Sequence, residues 1–253
     1  MRGKILVTGT GRCGTSCMMQ LLSKLKLPTG FDSMRHGMGT DYAGQEFIIP
    51  PSCDTLKEDY KDIQILKDPR LCWTLRTILE EGTLEIDHVI VMVRNVLTSA
   101  ESRMKAGKMV GPSDKAPTTS NEQAEFLYES IGHLFETLVL YGVAYTTIVY
   151  PRVVKDPRYA YDRLKLVPGL LDGKTYVEFQ RGHAAVMRKS RVTVQPPAIP
   201  ARYRGLRAGI AEEVAKAYNV LTLNSDMNSE IDIHAAGVLD ALEVIREDNK
   251  TRE

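Results

Sequence analysis

Aromatic side chains are scarce in this chain of 253 residues: one Trp, five Phe and eleven Tyr make up 7% of it. The core must therefore be packed mainly from aliphatic residues. Excess charge of one sign is also missing, since 33 Lys and Arg stand against 32 Asp and Glu, a formal net charge of +1. That balance excludes the uniformly basic surface of a general nucleic-acid or membrane binder, while leaving room for local patches. No apolar run approaches the roughly 20 residues that cross a bilayer. The first apolar run stops at a glycine turn, which is not how a signal peptide reads. The chain is expected to be cytoplasmic, with no nucleic-acid and no membrane partner. Cysteine is sparse: Cys13, Cys17, Cys53 and Cys72 lack metal-ligand spacing and have no His cluster beside them. Free thiols of a reducing compartment, and no metal, are expected. Nothing in the sequence indicates an oligomeric state.

What is present is an alternation of short apolar runs with helical patterns. Lys4–Thr8, Ile63–Lys67, His88–Val93 and Tyr145–Val149 read as strands. Helices are predicted near Thr15–Leu25, Cys72–Glu81, Val96–Lys105 and Glu122–Tyr141, with another opened by Asp156 as N-cap and Pro157 at the first helical position. In the fourth, Leu127, Ile131, Leu134, Phe135 and Leu138 recur at helical spacing, the signature of a core face. Strands alternating with helices predict an α/β fold: three layers around a central parallel β-sheet. The length suits one domain over residues 1–253, with 206–253 a C-terminal helical extension packed on it. That extension reads as helix, a short strand at Val220–Leu223, and a helix at Glu230–Glu247. Lys105–Asn121 reads as a mobile surface loop and Leu166–Arg204 as irregular. From Phe179 through Ala211 there is no acidic residue but seven basic ones, Arg181, Arg188, Lys189, Arg191, Arg202, Arg204 and Arg207. This is either a solvated basic face or a surface for an anionic ligand.

The chemistry concentrates in the turn after the first strand. Gly9, Gly11 and Gly14 lead into the helical pattern that starts at Thr15. Strand, glycine turn and helix N-terminus form an anion site, because free N–H groups and the helix dipole point at a bound phosphate. A P-loop-like phosphate-binding loop is therefore expected, and three readings compete for it. Gly9-x-Gly11-x-x-Gly14 fits a dinucleotide fingerprint, with Asp32 near the place of a ribose-binding acid. Gly9-x-x-x-x-Gly14 fits a nucleoside triphosphate loop, but Thr15 and Ser16 stand where Lys must hold the β- and γ-phosphates.

The third reading comes from Arg12, Cys13, Gly14, Thr15 and Ser16, a basic residue, a small one, Gly and two hydroxyl residues. This run resembles the first phosphate-binding loop of the sulfotransferases that use 3′-phosphoadenosine 5′-phosphosulfate (PAPS). The resemblance implies that these five residues cradle the 5′-phosphosulfate. A phosphosulfate carries less charge than a triphosphate, so Arg, hydroxyl and backbone donors suffice. A second segment is similar to the family's 3′-phosphate site, in which an Arg at a strand end and a Ser on the next helix grip the phosphate. Here they are Arg94 and Ser102, eight residues apart, with Val96 where Pro is usual. Tyr150, followed six residues later by Asp156-Pro157, resembles the family's strand-end Tyr that lies against the adenine. The similarity runs through residues 4–25, 63–103 and 143–167.

Sulfuryl transfer needs a general base, positive charge at the leaving oxygen, and in-line alignment. The family's base is His or Glu. Glu46, in Gly44-Gln45-Glu46, resembles the Glu of carboxylate-using branches, whereas His36 has the more suitable unperturbed pKa. Lys67-Asp68-Pro69-Arg70 ends the second strand, and strand ends are where such sheets bind ligands. Lys67 is a candidate for neutralising the bridging oxygen and Arg70 for holding the sulfuryl group or the acceptor. The implied activity is PAPS-dependent sulfotransfer to a hydroxyl, or less readily an amine, of a small-molecule or carbohydrate acceptor, releasing PAP without a metal. An NAD(P)-dependent oxidoreductase and a non-catalytic nucleotide-binding module remain the alternatives.

Overall fold

Four apolar runs become strands, and all of them pair in parallel. They are β1 (Lys4–Thr8), β2 (Ile65–Lys67), β3 (Ile86–Val93) and β4 (Tyr145–Val149), lying side by side in the order β2-β1-β3-β4. The computed structural model describes residues 3–29, 63–107 and 117–187, which fall within one compact unit, Met1–Gln195. The proposed C-terminal extension at 206–253, and the basic side chains from Arg188 onward, lie outside the described residues.

The helices among the described residues are α1 (Thr15–Lys24), α2 (Leu71–Glu81), α3 (Val96–Lys105), α4 (Ser120–Leu140), α5 (Arg152–Lys155), α6 (Pro157–Lys165) and α7 (Tyr176–Met187). The chain leaves β1 in one direction to reach β2, then returns past β1 to reach β3 and β4. Right-handed crossovers put α1 on one face of the sheet and α2, α3 and α4 on the other. The helix contacts agree: α2 and α3 pack on α4, whereas α1 and α6 pack on α7. The result is a sheet between two helical layers. Because both faces are covered, Ile5, Leu6, Val7, Val89, Ile90 and Val91 are buried without the alternation of a half-exposed strand.

Local chemistry sets the helix ends. Thr119 accepts a hydrogen bond from the Glu122 N–H at 3.2 Å, and the Glu122 carboxylate accepts from the Thr119 N–H at 3.3 Å, a capping box that starts α4. Asp156 accepts from the Tyr159 N–H at 2.9 Å and caps α6, which opens on Pro157. On α4, Leu127, Leu134 and Leu138 are buried, while Ile131 and Phe135 are half-buried at the edge of the stripe.

One expectation is corrected. The stretch read as irregular from Leu166 contains α7, whose Phe179 is completely buried. Polar residues dilute its periodicity, so the apolar pattern alone misses it. Its start is nonetheless written in Thr175 and Glu178, which bond reciprocally at 2.9 and 3.3 Å. Gly182 lets this helix approach the end of α1, since a Cβ there would lie 2.9 Å from Leu25. The one-turn α5 was also not foreseen.

Within α3 the Ser99 hydroxyl is fully buried and has no hydrogen-bond partner among the described residues. A buried orphan hydroxyl destabilises the fold, and Ala is the better helix former. Ser99→Ala should raise the unfolding free energy by about 1 kcal/mol, seen in urea titration as a higher midpoint at unchanged slope.

Candidate functional site

The strand order reverses between β1 and β3, and ligands of open parallel sheets bind at the C-terminal strand ends of such a switch point. The loop Gly9–Gly14 leaves β1 at this place. Gly9 (φ 149°), Gly11 (φ 72°) and Gly14 (φ 95°) all take positive φ, and so does Arg12 (φ 55°). A Cβ on Gly9 would strike the Met92 carbonyl oxygen and lie 2.7 Å from the Cys13 sulfur. A Cβ on Gly14 would lie 2.5 Å from the Tyr150 ring. Gly14 is the N-cap of α1, and its carbonyl accepts from the Met18 N–H at 3.0 Å. No acidic residue occupies the first turn of α1. The Ser16 N–H has no acceptor among the described residues, so the positive end of the helix is uncompensated there.

The second strand brings a cation to this helix end. Lys67 closes β2 with a relative exposure of 0%, and its Nζ donates to the Ser16 hydroxyl at 3.0 Å. Asp68, next along, is also buried. Its main-chain carbonyl accepts from the Thr8 hydroxyl at 2.9 Å, which ties the ends of β1 and β2 together. Its carboxylate is taken by Arg70, through the backbone N–H at 2.8 Å and the guanidinium Nε at 3.0 Å. Arg70 therefore stands beside the site with its charge already paired, while its side chain is about half exposed.

The third strand contributes the other side. Arg12, exposed on the loop, donates from Nε to the Ser102 hydroxyl of α3 at 3.1 Å. Arg94, just beyond β3, donates from Nη1 to the Arg12 carbonyl at 2.8 Å. Its guanidinium carbon sits 5.1 Å from the centre of the Tyr150 ring, a cation–π contact. Arg103 of α3 donates from Nη2 to the Thr10 carbonyl at 2.8 Å. Among the described residues neither Arg12 nor Arg94 pairs with a carboxylate. Burial, and to a lesser degree the nearby Arg12, lowers the Arg94 pKa from its ordinary value, with the Tyr150 phenol opposing them. Burial likewise raises the Tyr150 pKa. Lys67, Arg12, Arg94 and Arg103 thus converge on one glycine loop, an arrangement that favours a multiply charged anion.

The structure brings together nine residues read from the sequence. Arg12, Cys13, Gly14, Thr15, Ser16, Lys67, Arg94 and Ser102 line or adjoin the loop, and Tyr150 is packed against it. Tyr150 does so as a wedge between Gly14 and Arg94. Glu46 and His36, the two base candidates, and Asp32 lie outside the described residues. Sequence reasoning overlooked Arg103, which looks like any charge at a helix end, and Thr8, which looks like one more strand residue. Among the described residues no group of three or more His, Cys, Asp or Glu is placed to hold a metal ion. No helix among them is long and apolar enough to cross a membrane. No protein-family model matches the chain, and no curated protein matches it.

Cys13, Cys17 and Cys72 are free thiols. Burial raises the Cys13 pKa and pushes Cys72 from 9.0 up to about 12. Above pH 9 the unfolded chain loses thiol protons that the folded protein keeps. Stability contributed by these thiols is therefore complete below pH 9 and falls as the pH rises toward 12. Denaturant titrations at pH 8 and 10.5 should show the decline, and Cys72→Ala should reduce it. The Gly14–Tyr150 contact makes a separate prediction. Gly14→Ala combines a left-handed backbone penalty of about 1–2 kcal/mol with the ring clash. Adding Tyr150→Ala should recover the clash part, so a double-mutant cycle yields a non-additive, favourable coupling.

Proposed function

We propose that the protein is a sulfotransferase that moves a sulfuryl group from PAPS to a hydroxyl, or an amine, of a small-molecule or carbohydrate acceptor. One observation carries the reading: two sets of anion donors meet across a single glycine loop. Lys67, Ser16 and the start of α1 form one set. Arg12, Arg94 and Ser102 form the other. PAPS has two separate anionic groups, a 5′-phosphosulfate and a 3′-phosphate; ATP and NAD carry no second isolated phosphate, and NADP carries its second at the 2′ position. The strand order weighs against the dinucleotide alternative, because the dinucleotide order 3-2-1-4 sets β1 beside the second and fourth strands, whereas here the strand beyond the β1 edge opposite β2 is β3.

In this reading the acceptor oxygen attacks sulfur while the bond from sulfur to the bridging oxygen breaks, and PAP departs with the added negative charge. Lys67 and the α1 N-terminus lower the energy of that charge, in a pocket where water screens it little. Arg94 and Ser102 hold the 3′-phosphate and so align the nucleotide. Glu46 or His36 takes the acceptor proton. The buried Asp68 neutralises Arg70, which leaves Arg70 available to the acceptor through its exposed edge only.

Thermal-shift titration with PAP, NADPH and ATP tests the class, because a ligand that binds only the folded state raises Tm. A response confined to PAP, with sulfuryl transfer from labelled PAPS, is expected; a response confined to NADPH would sink the reading. Arg94→Ala should weaken PAP binding by about tenfold or more, the scale of one charged hydrogen bond, without unfolding the protein.

A further inference from the structure

Loops that bind anions through N–H groups must keep their carbonyl oxygens turned away, since a carbonyl carries the opposite partial charge. In a loop with three glycines nothing local enforces this. Glycine takes either sign of φ with little preference, so the peptide planes are free to flip. Three carbonyls of the Gly9–Gly14 loop are instead held by hydrogen bonds, two of them from outside the loop. The Gly9 carbonyl accepts from the Gly11 N–H at 2.8 Å. Arg94 takes the Arg12 carbonyl, and Arg103 takes the Thr10 carbonyl, each at 2.8 Å. Arg103 lies in the last turn of α3, immediately after Ser102, whose hydroxyl accepts from Arg12. Its guanidinium crosses the place where a side chain on Gly11 would stand, so that any Cβ there would run into Nη2. Gly11 and Arg103 therefore fit as a pair: the missing side chain admits the guanidinium, and the guanidinium fixes the peptide before Gly11.

We propose that Arg103 is a positioning residue for anion binding. It holds the Thr10 carbonyl toward α3 while the Gly11 N–H of the same peptide closes onto the Gly9 carbonyl, and so fixes the path of the loop before a ligand arrives. It acts through the loop, whereas Arg94 and Ser102 are assigned to the ligand itself. Pre-ordering raises affinity because an already fixed loop loses less backbone entropy on binding. The proposal rests on the reading that this loop binds the nucleotide's anionic end.

Calorimetric Kd values for PAP, measured on the wild type, Arg103→Met and Arg103→Lys, test it. Met preserves the bulk without the donor, and Lys restores one donor. Arg103→Met should weaken PAP binding by at least about tenfold while the unliganded Tm moves by less than about 2 °C. Arg103→Lys should recover a large part of the loss. If Arg103→Met does not fold, Arg103→Leu, which also lacks a donor, takes its place in the same comparison. Binding by Arg103→Met within about twofold of the wild type, or no recovery with Lys, overturns the proposal. Should the wild type itself ignore PAP, the sulfotransferase reading fails. The same three proteins are then titrated with inorganic pyrophosphate. The same order of affinities upholds the role of Arg103, and equal affinities, or no binding, overturn it.

Discussion

β1 is hydrogen-bonded along both edges, and the candidate site hangs from that double pairing. On one side Ile5, Leu6 and Val7 lie opposite Ile65, Leu66 and Lys67; on the other, Leu6, Val7 and Thr8 lie opposite Val89, Ile90 and Val91. The register brings three strand ends to one edge of the sheet. Thr8 then reaches the Asp68 carbonyl, Gly9 passes against the Met92 carbonyl, and Arg94 reaches the loop. Slipping either pairing by one residue would turn buried side chains to the opposite face. It would also separate Lys67 from Ser16. The apolar core and the polar site are therefore two consequences of one set of backbone hydrogen bonds.

Electrostatics at that edge are lopsided. Asp68 is neutralised by Arg70, and Glu122 of α4 and Glu178 of α7 cap their own helices. Around the loop stand the guanidinium groups of Arg12, Arg94 and Arg103, the Lys67 ammonium and the N-terminus of α1. Crowding like charges is unfavourable, and beside Arg94 the Arg12 charge adds to burial, the larger cause, in lowering the Arg94 pKa. The fold tolerates it because each cation donates to a neutral oxygen: Lys67 to Ser16, Arg12 to Ser102, Arg94 and Arg103 to loop carbonyls. For Arg12 and Arg94 these bonds satisfy the donors without cancelling the charge, and a bound anion would cancel it.

Much of the described fold was legible in the sequence. The strands were found to within two residues at each end, because buried parallel strands are continuous apolar runs. The start of α6 was found from Asp156 and Pro157 alone, since capping is local chemistry. Helix α7 was missed because its anchor, Phe179, stands among polar residues whose burial depends on α1. At the site, the link between the loop and the segment after β3 was readable as Arg94 and Ser102, whereas their partners were not. Tyr150, expected against the adenine, packs between Gly14 and Arg94, a placement set by the segments that follow β1, β3 and β4.

Residue type and short spacing, then, determined what the chain could say by itself: apolar runs that must be buried on both faces, glycines where φ must be positive, caps that start helices, and a loop lacking the lysine of a triphosphate binder. Each of these acts within a few residues of backbone. The tertiary structure alone decided that Lys67 of β2 meets Ser16 at the loop, that Arg70 is spent on Asp68 while Arg94 is paired with no described carboxylate, and that Arg103 holds the loop it never adjoins in sequence. Those outcomes depend on strand order and register, which join residues 51 to 93 positions apart and leave no local mark in the sequence.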